Sequence, residues 1–398
     1  MMKKIMILGA SILQLPAILK AKEMGVYVIG IDMDENAVGF QYCDDYYVIS
    51  TTDIQGVTKV AKNHKIDGIL TIASDMPVRT VAAVSKELDI PGLDDQTALR
   101  ATDKFIMREA LKSHNVPVPY FAKASDINEY LQVLKKFKGC CIVKPVDCSG
   151  SRGVCLIENL TDIQEIKKAF EYSKKNSKSG EIIIEEYMEG EEVSVEILST
   201  QSECHIIAIT DKITTGAPYF VELGHSQPTQ HSYTHEIKKI AVEAVKAIGI
   251  KEGPAHVEIK ITKQGPKIVE VGARLGGDNI TTHLTPLSTG VDMVKACIEI
   301  SLGIIPDLKR KKDQGAAVRY LEADKGVLTS LRGVKEALEL PGVEQVSIVK
   351  KIGSEINPIQ NSADRIGFCI SKGSNAMEAI KNCEMATRLI EIGVLKGE

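Results

Sequence analysis

Apolar and polar residues follow two rhythms along this chain, and the changes between them mark its elements. Residues 5–8 form a continuous apolar run of strand length. Gly9-Ala10-Ser11 then turns the run into a helix reaching about residue 24, where Gly25 stops it. A second strand over residues 26–31 ends at Asp32. A strand near residues 46–49, a helix from about Asp53, a strand at 68–72 and a helix at 78–88 follow. Strands alternating with helices predict a parallel, doubly wound sheet over residues 1–100.

The rhythm changes after residue 100. A helix opens at Asp103-Lys104 and closes before Val116-Pro117-Val118-Pro119. Strand-like runs at 139–145 and 154–157 flank a loop of small residues, 147–153. Residues 182–188 and 193–198 read as strands on either side of an acidic turn, and the spacing predicts a helix over 234–248. Two further apolar runs, 257–261 and 267–271, flank the turn-forming Thr262-Lys263-Gln264-Gly265-Pro266, which predicts a β-hairpin. Residues 309–313 form a charged linker. Beyond it lie a strand at 316–321, a turn and helix within 326–340, strands at 342–350 and 365–371, and a helix over 375–392. The domain boundaries expected are 1–100, 101–312 (with a lid lobe at about 120–192) and 313–398.

Composition narrows the classes. The chain has 398 residues, 44% hydrophobic and 26% charged, which is ordinary for a globular protein. Its net charge is −4 and its lysines and arginines are scattered, so neither nucleic acid nor membrane is expected as a partner. Met1-Met2-Lys3-Lys4 leads directly into a strand rather than a secretory signal. Nine cysteines without CxxC or His-spaced pairs fit thiols in a reducing cytoplasm, and structural zinc is not expected.

Several residues carry candidate chemistry. Glu258 and Glu270 sit in the two hairpin strands. Either they lie on a solvent face, or a cation between them relieves the repulsion of two carboxylates brought side by side. Hard oxygen ligands of this kind suit Mg²⁺ beside nucleotide phosphates. Arg274, within Gly-Ala-Arg-Leu-Gly-Gly-Asp, aims a guanidinium at an anion where Gly276 and Gly277 admit close backbone approach. Lys144 ends an apolar strand, where an ammonium is costly without an anion. The loop carrying Ser149, Gly150, Ser151 and Gly153 is either a hairpin turn or an anion nest, and it lacks the Gly-Lys-Ser/Thr of a Walker loop. Glu185 to Glu192 is either an acidic hairpin tip or a purine slot with a ribose carboxylate. Ser74 and Asp75 either cap the helix at 78–88 or contact substrate at the carboxyl end of the sheet. The Gly-x-Gly-x-x-Gly fingerprint is absent after Gly9, which disfavours NAD although Asp32 stands where such a fold holds a ribose.

Together these pieces resemble the ATP-grasp family over roughly residues 1–310. The resemblance implies a Rossmann-like domain before the ATP-grasp lobes, and an α+β domain after them. It implies ATP and Mg²⁺ (or Mn²⁺) as cofactors, and ligation of a carboxylate to an amine through an acyl phosphate. Carried over, Lys104 and Lys144 are the phosphate lysines, and the 149–153 loop closes over them. Glu185, Glu186 and Met188 form the adenine site, and Glu192 holds the ribose. Glu258 and Glu270 are the metal ligands, and Arg274 meets the transferred phosphate. Many members have Asn where this chain has Gly272. The Glu-Val-Gly-Ala-Arg-Leu-Gly-Gly run and Phe220 to Pro228 resemble the L-amino-acid ligase branch, which implies that His225 lies in the substrate site. The expected partners are a small carboxylate and an amine, with a homodimer possible. A purine-pathway ligase resembling phosphoribosylglycinamide synthetase, and an ATP-binding module without turnover, are the alternatives.

Overall fold

The computed structural model describes residues 2–148, 150 and 152–396. Ser149 and Ser151, expected in the phosphate loop, lie outside the described residues. Four parallel strands open the chain, in the order Asp45–Val48, Tyr27–Asp32, Lys4–Leu8, Gly68–Leu70. Helices Leu15–Glu23, Ile54–His64 and Val78–Leu88 connect and cover them. Asp32 is not presented to a ribose: its Oδ2 accepts from the Ala10 backbone N–H at 2.7 Å and its Oδ1 from Asp34 at 3.0 Å. Gln14 fills the space over Gly9, where a Cβ would meet the Gln14 side chain at 2.7 Å.

An eight-stranded sheet forms the body. Its order is Gly265–Gly272, Gly253–Thr262, Glu191–Thr200, Glu203–Thr214, Glu222–Gln227, Gly315–Leu321, Gly367–Gly373, Val343–Ile348. The last three strands come from beyond the charged linker, so the C-terminal region continues this sheet rather than standing apart. The hairpin turn is shorter than the sequence suggests. Thr262 pairs with Gly265, and Pro266 lies inside the second strand. That strand is a sheet edge, where the missing N–H of proline is tolerated.

Alternation sorts the side chains of this sheet. Val193, Val195, Val257 and Ile259 face one way and pack, fully buried, against Ile237, Ala241, Ala244 and Val245 of helix Thr234–Ile248. Each such side chain contributes roughly 1.5–3 kcal/mol of burial. Their neighbours in sequence, Ser194, Glu196, His256, Glu258 and Lys260, must therefore face the other way.

A smaller antiparallel sheet, in the order Phe121–Ala124, Ile182–Glu186, Cys141–Pro145, Cys155–Ile157, is covered by helices Ile127–Leu134 and Ile163–Asn176. A fourth sheet, in the order Glu355–Ile356, Gly326–Arg332, Glu391–Leu395, corrects the C-terminal reading. Residues 326–332 are strand rather than turn, and the final helix stops at Leu389. Both errors fall on half-exposed strands, where too few buried positions exist to set a clear period of two. Among the described residues no helix is long and apolar enough to cross a membrane, and no disulfide forms.

Candidate active site

The polar face of the large sheet is a grid. Lys260, Glu192, Lys212 and His225 stand opposite one another across four strands. In the neighbouring rows Glu270 is opposite Glu258, Glu258 opposite Ser194, and His256 opposite Glu196. The two hairpin carboxylates therefore share one face, as a pair of opposed residues must.

Cations hold each acid. Lys104 Nζ meets Glu270 Oε1 at 3.0 Å and the Cys148 carbonyl at 2.7 Å. Lys104 is the first residue of helix Lys104–Ser113, whose N-cap Asp103 accepts from the Phe105 and Ile106 amides. Lys212 is the residue sequence reasoning missed. Its side chain is 4% exposed, and its Nζ lies 2.6 Å from Glu192, 2.9 Å from Glu258 and 3.8 Å from Glu222. Burial alone would make this ammonium a weaker base, but the three carboxylates hold its pKa well above the ordinary lysine value. Glu258 is the mirror case: burial pushes it up, and Lys212 and His256 bring it well below the carboxylate range. Glu222 goes the other way. Burial, with Asp278 and Glu258 nearby, raises it despite Lys212.

A second cluster lies beside the first. Glu185 Oε1 accepts from Arg108 Nε at 2.7 Å and its Oε2 meets Lys144 Nζ at 2.7 Å. Burial would raise this carboxylate, yet the two cations hold it at about 2. The carboxylate thus braces Lys144 and Arg108. Arg108 was also missed, although it lies four residues beyond Lys104 and so on the same helix face. Lys144 is lowered by burial and by the nearby Arg108 and Lys104, against the pull of Glu185. Three cations crowd the two carboxylates Glu185 and Glu270, a surplus that a bound anion relieves.

Arg274 donates through Nε to Asp75 Oδ1 at 2.9 Å and through Nη2 to Oδ2 at 3.3 Å. Asp75 thus braces the arginine instead of capping its helix, which lacks a side-chain cap. Burial would lower the arginine; Asp75 raises it. Ser74 is half-buried in the same loop. Gly272 lies beneath the pair. A Cβ there would be 3.1 Å from Asp75 Oδ1 and 3.2 Å from Arg274 Cζ, so Asp75 and Arg274 fill the space an asparagine would need.

His225 is 1% exposed, and among the described residues neither ring nitrogen has a hydrogen-bond partner. It lies 3.8 Å from Asp278, which Arg365 clasps at 2.8 and 3.1 Å. The Arg365 guanidinium also sits 3.7 Å over the Tyr320 ring, so residues from the C-terminal region wall the site. The remaining candidates are more peripheral. Glu186 is exposed and accepts from the Tyr120 amide at 3.3 Å. Met188 is half-buried beside it. Gly150 has open space around it, while Gly153 at φ +77° packs on Pro145, which a Cβ would meet at 2.7 Å. Gly277 is unconfined: a Cβ there would meet only Ala73, at 3.7 Å.

Residues 137–282 match the model of the ATP-grasp domain, and residues 319–394 that of L-amino acid ligase C-terminal domain 2. Uncharacterized protein y4rH of Sinorhizobium fredii is 25% identical over 86% of this chain and 72% of its own length. The L-amino acid ligase from Bacillus licheniformis superposes with a TM-score of 0.86 at 21% identity, over 99% of each chain. Phosphoribosylglycinamide synthetase from Anaerococcus prevotii gives 0.79 at 21% identity, over 99% of this chain and 100% of its own. At such identities the superpositions show the fold. The chain thus carries an ATP-grasp domain followed by an L-amino acid ligase C-terminal domain 2.

Proposed function

We propose that this protein is an ATP- and Mg²⁺-dependent carbon–nitrogen ligase that joins an amino-acid carboxylate to an amine. The observation that carries the reading is the opposed pair Glu258 and Glu270, facing Lys104, Lys212 and Arg274 on one polar sheet face.

The donor set suits a hard divalent cation. In each acid one oxygen is held by a lysine, Glu258 Oε1 by Lys212 and Glu270 Oε1 by Lys104. That leaves the second oxygen of each for a metal. Mg²⁺ held there, or Mn²⁺ in its place, supplies charge neutralisation for the triphosphate. Lys104 and Lys144 hold phosphate oxygens, and Lys212 meets the terminal one. Glu186 and Met188 border the base, and Glu192 takes the ribose hydroxyls. Ser149, Gly150, Ser151 and Gly153 cover the phosphates and keep water out.

The chemistry then needs positioning more than covalent help. A carboxylate oxygen of the first substrate bonds to the γ-phosphorus as the bond to the ADP oxygen breaks. The amine nitrogen next bonds to the acyl carbon and loses a proton, and phosphate leaves. Arg274, braced by Asp75, stabilises oxyanion charge in both steps, a contact worth roughly 3–4 kcal/mol. Ser74, His225, Gly276 and Gly277 line the substrate end. Glu222, whose carboxyl is held above its usual range, accepts the amine proton. The same reading places the enzyme in the cytoplasm, as a homodimer.

A purine-pathway substrate needs a basic pocket for its ribose phosphate. Arg79, the basic residue nearest Ser74 in sequence, instead donates to Thr102 Oγ1 at 2.6 Å. The test is incubation with ATP, Mg²⁺ and pooled amino acids, following ADP and the mass of new amides. Amino-acid-dependent ADP release is expected. Release only with phosphoribosylamine and glycine overturns the choice of substrate, and tight ATP binding without release overturns the enzyme.

A further inference from the structure

With Glu258 as a metal ligand, an assignment on which this inference rests, two buried groups behind it remain without a part in the chemistry. Glu196 lies on the central strand Glu191–Thr200 and is 0% exposed. A carboxylate in such a place is costly unless it is matched. Its Oε1 meets His256 Nδ1 at 2.6 Å, while its Oε2 has no hydrogen-bond partner among the described residues. His256, 5% exposed, stands directly across on the neighbouring strand. Its Nε2 meets Glu258 Oε1 at 3.3 Å. The ring thus bridges the two carboxylates, with one at each nitrogen.

The two donors to Glu258 converge. Lys212 Nζ reaches Oε1 at 2.9 Å, the same oxygen that His256 meets, and Oε2 takes a bond from neither. The backbone beyond Arg274 supports the same pair. A Cβ at Gly276 would sit 2.6 Å from His256 Nδ1 and 3.0 Å from each Glu196 oxygen, so only a glycine lets that loop lie against them.

We propose that Glu196 and His256 are a positioning pair, which holds the Glu258 carboxylate with Oε1 turned to the sheet and Oε2 turned to the divalent cation. A glutamate carboxylate otherwise rotates in a broad, two-fold torsional well. A ring fixed by its own buried carboxylate removes that freedom before the metal arrives. Gly276 ties the pair to the Arg274 loop, so the metal end and the arginine end share one brace.

The test is Mn²⁺ affinity of the full chain with a non-hydrolysable ATP analogue, by calorimetry and electron paramagnetic resonance. Wild type is compared with His256→Ala, His256→Gln, Glu196→Gln and Glu258→Gln. His256→Ala and Glu196→Gln are expected to weaken Mn²⁺ by about 10–100-fold. His256→Gln, whose amide still donates, should recover part of the loss. In turnover assays the KM for Mg²⁺ should rise more than kcat falls, with metal-free binding of the analogue unchanged. Wild-type Mn²⁺ affinity in both His256→Gln and Glu196→Gln, with Glu258→Gln impaired, overturns the pair and leaves the metal reading standing. Unimpaired Glu258→Gln overturns the metal reading, and the pair with it. If His256→Ala fails to fold, His256→Gln and Glu196→Gln decide alone.

Discussion

Lys212→Met removes the cation at the centre of the carboxylate grid while keeping most of its volume. In wild type, Glu192, Glu258 and Glu222 lie 2.6, 2.9 and 3.8 Å from its Nζ. Breaking a buried ion pair from one side costs about 3–5 kcal/mol. Two neighbours soften the loss: Lys260 remains 3.3 Å from Glu192, and His256 remains 3.3 Å from Glu258. The lower end, about 3 kcal/mol, is therefore expected, which lowers the melting temperature by roughly 6–12 °C for a unit of 150–250 residues. The carboxylates left behind attract a divalent cation more strongly, so millimolar Mn²⁺ should stabilise the variant more than wild type. The assay is thermal unfolding of both proteins in chelator and then in Mn²⁺, without nucleotide. If the variant melts with wild type in chelator and gains no more from Mn²⁺, the grid is not held by this lysine.

Other consequences are as direct. Glu185 has a folded pKa of about 2, below the 4.5 of an unperturbed glutamate. Its pairing therefore stabilises the fold above pH 4.5 and loses that contribution as pH falls toward 2. Glu185→Gln should lower stability at neutral pH and flatten the acid limb between those values, as seen in urea melts across pH; an unchanged limb contradicts the Arg108–Glu185–Lys144 account. Gly272→Asn should lower kcat/KM without tightening Mn²⁺ binding, because the new side chain displaces Asp75 and Arg274 rather than reaching the metal; tighter Mn²⁺ binding refutes it. Arg365→Met leaves the half-buried Asp278 beside His225 without its clasp, so a loss smaller than the roughly 3 kcal/mol of a fully buried pair and a raised KM for the amino acid are expected. A melting curve like that of wild type would show that the C-terminal wall is not held there.

How much of this was legible depended on range. Helices near 78–88 and 234–248 were marked in sequence, the second by its apolar spacing, and in the structure they end at the left-handed Asp89 and Gly249. The alternation His256-Val257-Glu258-Ile259-Lys260 already placed three polar side chains on one face, though only Glu258 was taken from it. Lys212 was hidden because its strand neighbours Asp211 and Thr210 are also polar, so no period stands out. The Arg365–Asp278 clasp joins positions 87 apart, and only the continuous sheet brings them together. The bracing of Glu185 is not legible in sequence, because a single strand cannot reveal that Arg108 and Lys144 reach its carboxylate from two other elements.

Trapping the activated carboxylate tests the account most directly. The protein is incubated with ATP, Mg²⁺, an amino acid and hydroxylamine in place of the amine, alongside Glu270→Ala. An amino-acid hydroxamate should form in wild type with one ADP for each hydroxamate, and none should form in the variant while its fold is intact. Hydroxamate formation with AMP and pyrophosphate, or equal formation in Glu270→Ala, would contradict phosphoryl transfer between these lysines and this pair of acids.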